Sequence, residues 1–356
     1  MRLYHFGERT PQMLERARLS ADTALKLQPE LGEAHVALAY YRYQGLSNYA
    51  GALQALEEAR RRLPNSPLVL STIGYVERRL GNFDSAISQL QKAVELDPQN
   101  QHLVLELAAT QRSLRRFEDS LATVDRILRV QPATGLLALK ATCYQALGDL
   151  QKAAEALEQS PITPNDWPPF LAQVRNWLLE RRYDTAINAL QSALAQSDLE
   201  VTLIHLVHYY CFLGFAQQLS GFSDAARATY LQGRDAFESR LKSKSVILDR
   251  PWELGAISLI HAGLGDKATA LRFAARAAIL SARDRFDGPG VQELIAKIHA
   301  QFGDADAALA LLTPLLDKPY VSMIRQAPIT PAFLRLEPEW DPIRSDPRFQ
   351  RLMRGG

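Results

Sequence analysis

Residues 67–100 read PLVLSTIGYVERRLGNFDSAISQLQKAVELDPQN, and this stretch decides the fold. Apolar residues recur at helical spacing on both sides of a short central turn, Gly81-Asn82-Phe83-Asp84. Gly81 allows a positive φ where the first helix ends, and Pro98 stops the second helix. The stretch therefore predicts two helices joined by a turn, with small Gly74 and Ala86 where the helix axes approach closely.

The same unit returns along the chain with a regular period. Pro64, Pro98 and Pro132 are spaced 98−64 = 34 and 132−98 = 34 residues apart. A period in this range is typical of stacked helical repeats, so we expect an all-α, right-handed superhelical solenoid of about eight helix-turn-helix units. The first unit is incomplete, because Thr10-Pro11 reads as the start of a second helix and little chain precedes it.

The 34-residue unit, with Gly74, Gly81, Ala86 and Pro98 in place, resembles the tetratricopeptide repeat. The resemblance implies a concave groove that binds other proteins. The residues from Leu334 to Phe349, LRLEPEWDPIRSDPRF, are similar to the closing segment of tetratricopeptide regions in bacterial multidomain signalling proteins. In those proteins the region follows a Ser/Thr kinase, an adenylate-cyclase-type or a winged-helix domain. The resemblance thus implies an effector domain N-terminal to this chain, but no motif of such a domain occurs here.

Breaks in the pattern predict how the array is divided. Four prolines between residues 160 and 169 suggest a seam, which gives an N-terminal array (1–160), a less regular C-terminal array (161–330) and a capping segment (331–356). The segment Asp235–Pro251 reads as an extended helix followed by the loop Ser243-Lys244-Ser245, and Asp284–Gly290 reads as a further irregular stretch. A solenoid needs a cover over its last repeat. The expected apolar contacts of that cover are Trp340, Ile343, Phe349 and Leu352.

The composition of the chain limits which classes of partner are expected. Formal net charge is +2, from 41 Lys and Arg against 39 Asp and Glu, so nothing favours nucleic acid. The longest apolar stretch, around 206–216, is shorter than the roughly 20 residues that span a bilayer, which argues against membrane insertion. Two widely separated cysteines, Cys143 and Cys211, suit a reducing compartment, and we expect a cytoplasmic protein.

Motifs for catalysis are absent from the sequence. There is no Gly-rich phosphate loop, nucleophile elbow or zinc-protease helix, so we expect no catalytic residue and no cofactor. His205, His208 and Cys211 share one helix but lack a fourth ligand, and structural histidines are favoured over a metal site. Cys143 falls at a groove position, where we expect it to be a small apolar residue rather than a reactive thiol.

The candidate binding site is the concave groove between residues 67 and 148. In this kind of repeat, positions 2, 5, 9, 12 and 13 of each first helix line the groove. Tyrosine and arginine there are typical of binding hot spots, and they suit a peptide with acidic and apolar groups. The predicted site residues are Tyr75, Arg78, Arg79, His102, Leu105, Arg112, Leu136 and Leu139. We expect the fold to tolerate alanine at Tyr75 and Arg112, since neither belongs to the predicted core stripe.

The favoured interpretation is a non-catalytic scaffold that binds a protein or peptide, as the regulatory or sensory part of a larger bacterial signalling protein. One alternative is an enzyme or ligand-binding regulator with its site in the region 195–250. A deep pocket there with convergent Asp, Glu or His side chains would favour that alternative. Another is a structural adaptor that dimerises through an exposed repeat face.

Overall fold

The structure, a computed structural model, describes residues 11–130, 132–196, 199–242 and 250–355. Helix α1 (Pro11–Leu27) comes first, and eight helix-turn-helix pairs follow it within these residues. The pairs are α2 (Gly32–Tyr40, continued by a π-helical turn, Tyr41–Gly45) with α3 (Tyr49–Arg62); α4 (Pro67–Leu80) with α5 (Phe83–Leu96); α6 (Gln101–Ser113) with α7 (Phe117–Leu128); α8 (Thr134–Leu147) with α9 (Leu150–Glu158); α10 (Trp167–Leu179) with α11 (Tyr183–Leu194); α12 (Leu203–Leu219) with α13 (Ser223–Lys242); α14 (Pro251–Gly263) with α15 (Lys267–Ser281); and α16 (Gly288–Gln301) with α17 (Ala305–Leu312).

A non-repeat stretch, residues 313–353, follows α17, and we call it the closing segment. It contains two 3-10 turns, Thr313–Leu315 and Pro338–Ile343, and two short helices, α18 (Pro331–Leu336) and α19 (Pro347–Met353). Over the described ranges the chain forms helices and no strand, which confirms the all-α solenoid. None of the described helices is long and apolar enough to cross a membrane.

Local signals explain the helix boundaries. The Ser66 side chain accepts a hydrogen bond from the Val69 N–H, and Pro67 occupies the first turn of α4. Gly81 ends α4 with φ +87°, a conformation that favours glycine. A Cβ on Gly74 would lie 2.9 Å from the Leu90 side chain, so the small residue at this position does allow α4 and α5 to pack closely.

The array curls back on itself. The Tyr49 hydroxyl donates to Asp284 at 3.0 Å, and the Arg285 N–H donates to the Arg79 carbonyl at 2.8 Å. These bonds join the first two helix pairs to the turn at 284–287, which precedes the last pair. The closing segment then packs into the concave side, and the aromatic side chains Phe333, Trp340 and Phe349 are fully buried there. Trp340 and Phe349 share one core with Leu312 of the last pair, as expected from the sequence.

The structure differs from two predictions about irregular regions, and a third lies outside the described residues. Gly288-Pro289-Gly290 is not a loop: it forms the first turn of α16, because proline fits a helix N-terminus. The non-repeat stretch begins at residue 313, earlier than the expected boundary at 331. The predicted loop Ser243-Lys244-Ser245 lies outside the described residues, as do Met1–Arg9 and Thr10.

Candidate functional site

The closing segment occupies the C-terminal ends of the groove-lining helices. The Tyr320 N–H donates to the Ser113 carbonyl at 3.3 Å, and the Thr330 hydroxyl donates to the Ala146 carbonyl at 2.8 Å. Gly290 of α16 also contacts the closing segment, because a Cβ at this position would collide with the Val321 carbonyl. The chain itself therefore fills one side of the groove that the sequence assigns to a partner.

Two arginines in inter-helix turns hold the closing segment. Arg115 and Arg181 adopt φ of +59° and +61°, whereas equivalent turns carry Gly81 and Gly148. Arg115 donates from Nη1 to the carbonyl of Lys318 and from Nη2 to those of Leu315 and Ile329, at 2.6 to 3.0 Å. Non-glycine residues in this conformation are strained, typically by about 1–3 kcal/mol. That strain is offset here by hydrogen bonds that glycine would not make.

Arg181 makes the second of these links through its side chain. Its Nη1 and Nη2 atoms donate to both oxygens of Asp341, at 2.6 and 3.0 Å. Arg344 pairs with the same carboxylate at 2.7 Å. The contacts of Arg115 and Arg181 were missed from the sequence, although an arginine at the turn position of glycine was a signal that could have indicated them.

A buried charge cluster lies where the closing segment meets α10 and α16. It consists of three cations and three carboxylates: Arg175, Lys297, Arg325, Glu293, Glu337 and Glu339. Arg325 donates to both oxygens of Glu293 at 2.6 and 2.7 Å and to Glu337 at 3.0 Å, and all three side chains are completely buried. Paired geometry of this kind is what buried charges require, so the cluster fixes the position of the closing segment.

Electrostatics within the cluster follow from this pairing. Burial alone would raise the pKa of Glu337, but Arg325, Lys297 and Arg175 together hold that pKa well below its usual value of 4.5. Burial raises the pKa of Tyr320 far above its usual range, and the Glu293 carboxylate adds to this shift. The Tyr320 hydroxyl therefore stays protonated and donates to Glu293 at 2.7 Å.

Arg78 and Arg79, both predicted site residues, already have partners within the chain. Arg79 pairs with Asp284 at 2.9 Å and with Asp287. Arg78 pairs with Glu106 at 2.8 Å, and its guanidinium lies 4.7 Å from the centre of the Phe286 ring. An acidic partner that approached Arg79 would have to compete with two carboxylates of the same chain.

The remaining deep residues are buried. Leu136 and Leu139 belong to the hydrophobic core, and Tyr75 and Arg112 are only 8% and 5% exposed. The expectation that Tyr75 and Arg112 lie outside the core is therefore wrong, because the curled array covers them. Arg112 makes no ion pair with any described residue, and its Nε has no hydrogen-bond partner there. Burial lowers the pKa of Arg112, while the Cys143 thiol and Glu106 act in the opposite direction.

One edge of the groove stays accessible at the N-terminal ends of α4 and α6. We call this the open edge; its accessible residues are Leu68, His102 and Leu105, and the buried Tyr75 lies against His102. Leu68 is 50% exposed, His102 is exposed and Leu105 is half-buried. The Tyr75 hydroxyl lies 3.4 Å from His102 Nε2. Five of the eight predicted residues thus lie deep in the groove, where they are buried or paired: Arg78, Arg79, Arg112, Leu136 and Leu139. His102 and Leu105 lie at the open edge, and the buried Tyr75 contacts His102 there.

Comparisons with known proteins agree with the repeat geometry. Two family models described as tetratricopeptide repeat match residues 41–101 and 77–141. The chain contains tetratricopeptide repeats. No curated protein sequence matches it.

Solved structures with a similar arrangement include tetratricopeptide proteins. One from Parabacteroides merdae is 15% identical, with TM-score 0.47, over 74% of this chain and 97% of that one. One from Thermus thermophilus is 23% identical, with TM-score 0.42, over 51% and 98%. The human IFIT1 dimer with m7Gppp-AAAA is 18% identical, with TM-score 0.49, over 76% and 68%.

Side chains considered for metal or nucleophilic chemistry have packing roles in this tetratricopeptide array. His205 stacks on Trp167 with ring centres 3.9 Å apart, and His208 Nδ1 donates to the Ile204 carbonyl at 2.7 Å. Among the described residues, no group of three His, Cys, Asp or Glu side chains could hold a metal ion. Cys143 and Cys211 are free and buried, and burial raises the pKa of both thiols.

Proposed function

We propose that this chain is a non-catalytic protein-binding scaffold that takes a peptide segment at the open edge of its groove. The observation that carries the proposal is the grouping of an exposed leucine, a tyrosine and a histidine on adjacent first helices, Leu68, Tyr75 and His102. Tyrosine is among the residues that binding hot spots use, and an exposed leucine beside it supplies apolar contact area. The tetratricopeptide array supports this, since its stacked units hold these side chains in place before a partner arrives.

The partner we propose carries apolar residues followed by an acidic group. Leu105 and Arg112 are seven residues apart, so they lie on one face of α6 two turns from each other. Arg112 makes no ion pair with any described residue but is only 5% exposed, so its positive charge attracts an acidic group at the open edge without direct contact. The deep residues Arg78, Arg79, Leu136 and Leu139 support this surface from behind. Regulation of a bacterial cytoplasmic signalling protein, with an effector domain N-terminal to the array, stays our proposal for the biological setting.

Selection of peptides on the full-length chain tests the proposal. A displayed peptide library would be panned against the chain, and the selected peptides measured by fluorescence anisotropy against variants. Leu68→Glu should weaken binding by about 2 kcal/mol, roughly 30-fold in Kd, because it repels an acidic peptide and removes an apolar contact. Leu96→Glu is the matched control: Leu96 lies on the second helix α5 and is 47% exposed. Equal affinity for the parent and Leu68→Glu would place binding elsewhere.

A further inference from the structure

A cavity of about 190 Å³ lies in the second half of the array, apart from the open edge. Helices α12, α13, α14 and α16 form its walls, and Pro338, Glu339, Asp341 and Pro342 of the closing segment complete its lining. Most of its lining is apolar, from Cys211, Phe212, Phe215, Leu219, Leu259 and Ile324. A protein cavity of about 150 Å³ with such a lining accepts benzene. There is thus room here for one substituted ring.

The side chain of Tyr230 marks a polar point in this lining. The ring is 3% exposed and packs against two glycines: a Cβ on Gly214 would lie 2.7 Å from it, and one on Gly263 would collide with it. Its hydroxyl forms no hydrogen bond with any residue that the structure describes, unlike those of Tyr209 and Tyr320. A ligand oxygen that reaches this hydroxyl can therefore gain a hydrogen bond. Burial also raises the pKa of Tyr230, so the group remains a hydroxyl that can donate.

The charged side chains around the cavity are already neutralised. Lys297 pairs with Glu337 at 2.9 Å and with Glu339 at 3.1 Å. Asp341 is held by Arg181 at 2.6 Å and by Arg344 at 2.7 Å. A charged ligand would lose its hydration without gaining a free counter-charge. The lining therefore selects for a neutral molecule.

We propose that this cavity binds a neutral ring compound with one carbonyl or hydroxyl oxygen, which hydrogen-bonds to the Tyr230 hydroxyl while the ring packs against Phe212 and Phe215. The site lies partly in the region 195–250 and partly under the closing segment. Because residues of the closing segment complete the lining, an occupied cavity stabilises the docked closing segment. The site is independent of peptide binding at the open edge.

Fluorine NMR titration of the full chain with three small probes tests the site. The probes are para-fluoroacetophenone, which is neutral with a carbonyl; para-fluorotoluene, which lacks oxygen; and para-fluorobenzoate, which is charged. The ketone should bind saturably, and more tightly than the other two. Tyr230→Phe should weaken the ketone about three- to tenfold, the effect of one hydrogen bond, and leave para-fluorotoluene unchanged. Tyr41→Phe, far from the cavity, is the matched control.

A second variant, Leu259→Trp, fills the cavity and should abolish binding of all three probes, with circular dichroism to confirm that the variant is folded. Four results would overturn the proposal. They are the absence of saturable ketone binding, undiminished binding in folded Leu259→Trp, equal affinity in Tyr230→Phe, and benzoate binding as tight as that of the ketone.

Discussion

Arg325→Met is the perturbation that most directly probes how the closing segment is held. Methionine keeps much of the side-chain volume, so the change removes a charge more than it removes packing. It leaves Glu293 and Glu337 completely buried, with Glu293 losing a two-pronged ion pair at 2.6 and 2.7 Å. Lys297 lies 4.0 Å from Glu293 and compensates only part of the charge.

The magnitude follows from the burial of both partners. Removing one partner of a buried ion pair costs about 3–5 kcal/mol, because the other charge is left uncompensated. Arg175 and Lys297 still neutralise Glu337, which places our expectation near the lower end, about 3 kcal/mol. Adding Glu293→Gln restores charge balance and keeps an acceptor for the Tyr320 hydroxyl. The double variant should therefore be more stable than Arg325→Met alone, with a coupling of about 1–3 kcal/mol in the double-mutant cycle.

Urea unfolding followed by far-UV circular dichroism measures these free energies. Arg116→Met is the matched control: Arg116 pairs with Asp84 on the surface, where the side chains are 45% and 93% exposed. That variant should change stability by less than about 0.5 kcal/mol. Two results would show that the charge cluster does not hold the closing segment. One is that Arg325→Met unfolds at the same urea concentration as Arg116→Met, and the other is that adding Glu293→Gln lowers the free energy of unfolding further.

Three other changes follow from the same contacts. Arg115→Gly should lower stability by about 1–3 kcal/mol in urea unfolding, although glycine suits the positive φ, because three hydrogen bonds to carbonyls are lost; a gain in stability would show that strain dominates. Truncation after Pro331 should lower the melting temperature and increase binding of a hydrophobic dye, since Trp340 and Phe349 leave the core; an unchanged, monodisperse protein would contradict this. Acid should also destabilise the chain. Glu337 has a folded-state pKa below its unfolded value of 4.5, so its stabilisation is present above pH 4.5 and is lost as pH falls below it; Glu337→Gln should flatten that part of the pH–stability profile.

The helical repeat could be predicted from the sequence because its signals are local. Gly81, Ala86 and Pro98 each act within one helix pair. Because the same kinds of residue return about every 34 residues, each repeat supports the same prediction. Within the described residues there are eight pairs, in agreement with the sequence. The end of α4 at Gly81 was also readable, since glycine with a positive φ at a helix end is a local preference.

The occupation of the groove could not be predicted, because it depends on contacts between distant parts of the chain. Arg79 and Asp284 are 205 residues apart, and Arg115 and Leu315 are 200 apart. Periodicity shows which residues face the concave side, but it does not show that the array curls until that side meets residues 284–337. Arg78, Arg79 and Arg112 therefore read as free cations in sequence, although the first two are paired and the third is covered.

The energetics of the closing segment decide where a partner can bind. To expose the whole groove, the chain would have to release Phe333, Trp340 and Phe349, all of which are fully buried. Burial of three such side chains contributes about 5–9 kcal/mol, before the charge cluster is considered. A partner with micromolar affinity has about 8 kcal/mol of binding free energy in total. Displacement would consume nearly all of it, whereas Leu68, His102 and Leu105 are accessible without displacing anything. A peptide therefore gains most by binding the open edge while the closing segment stays docked.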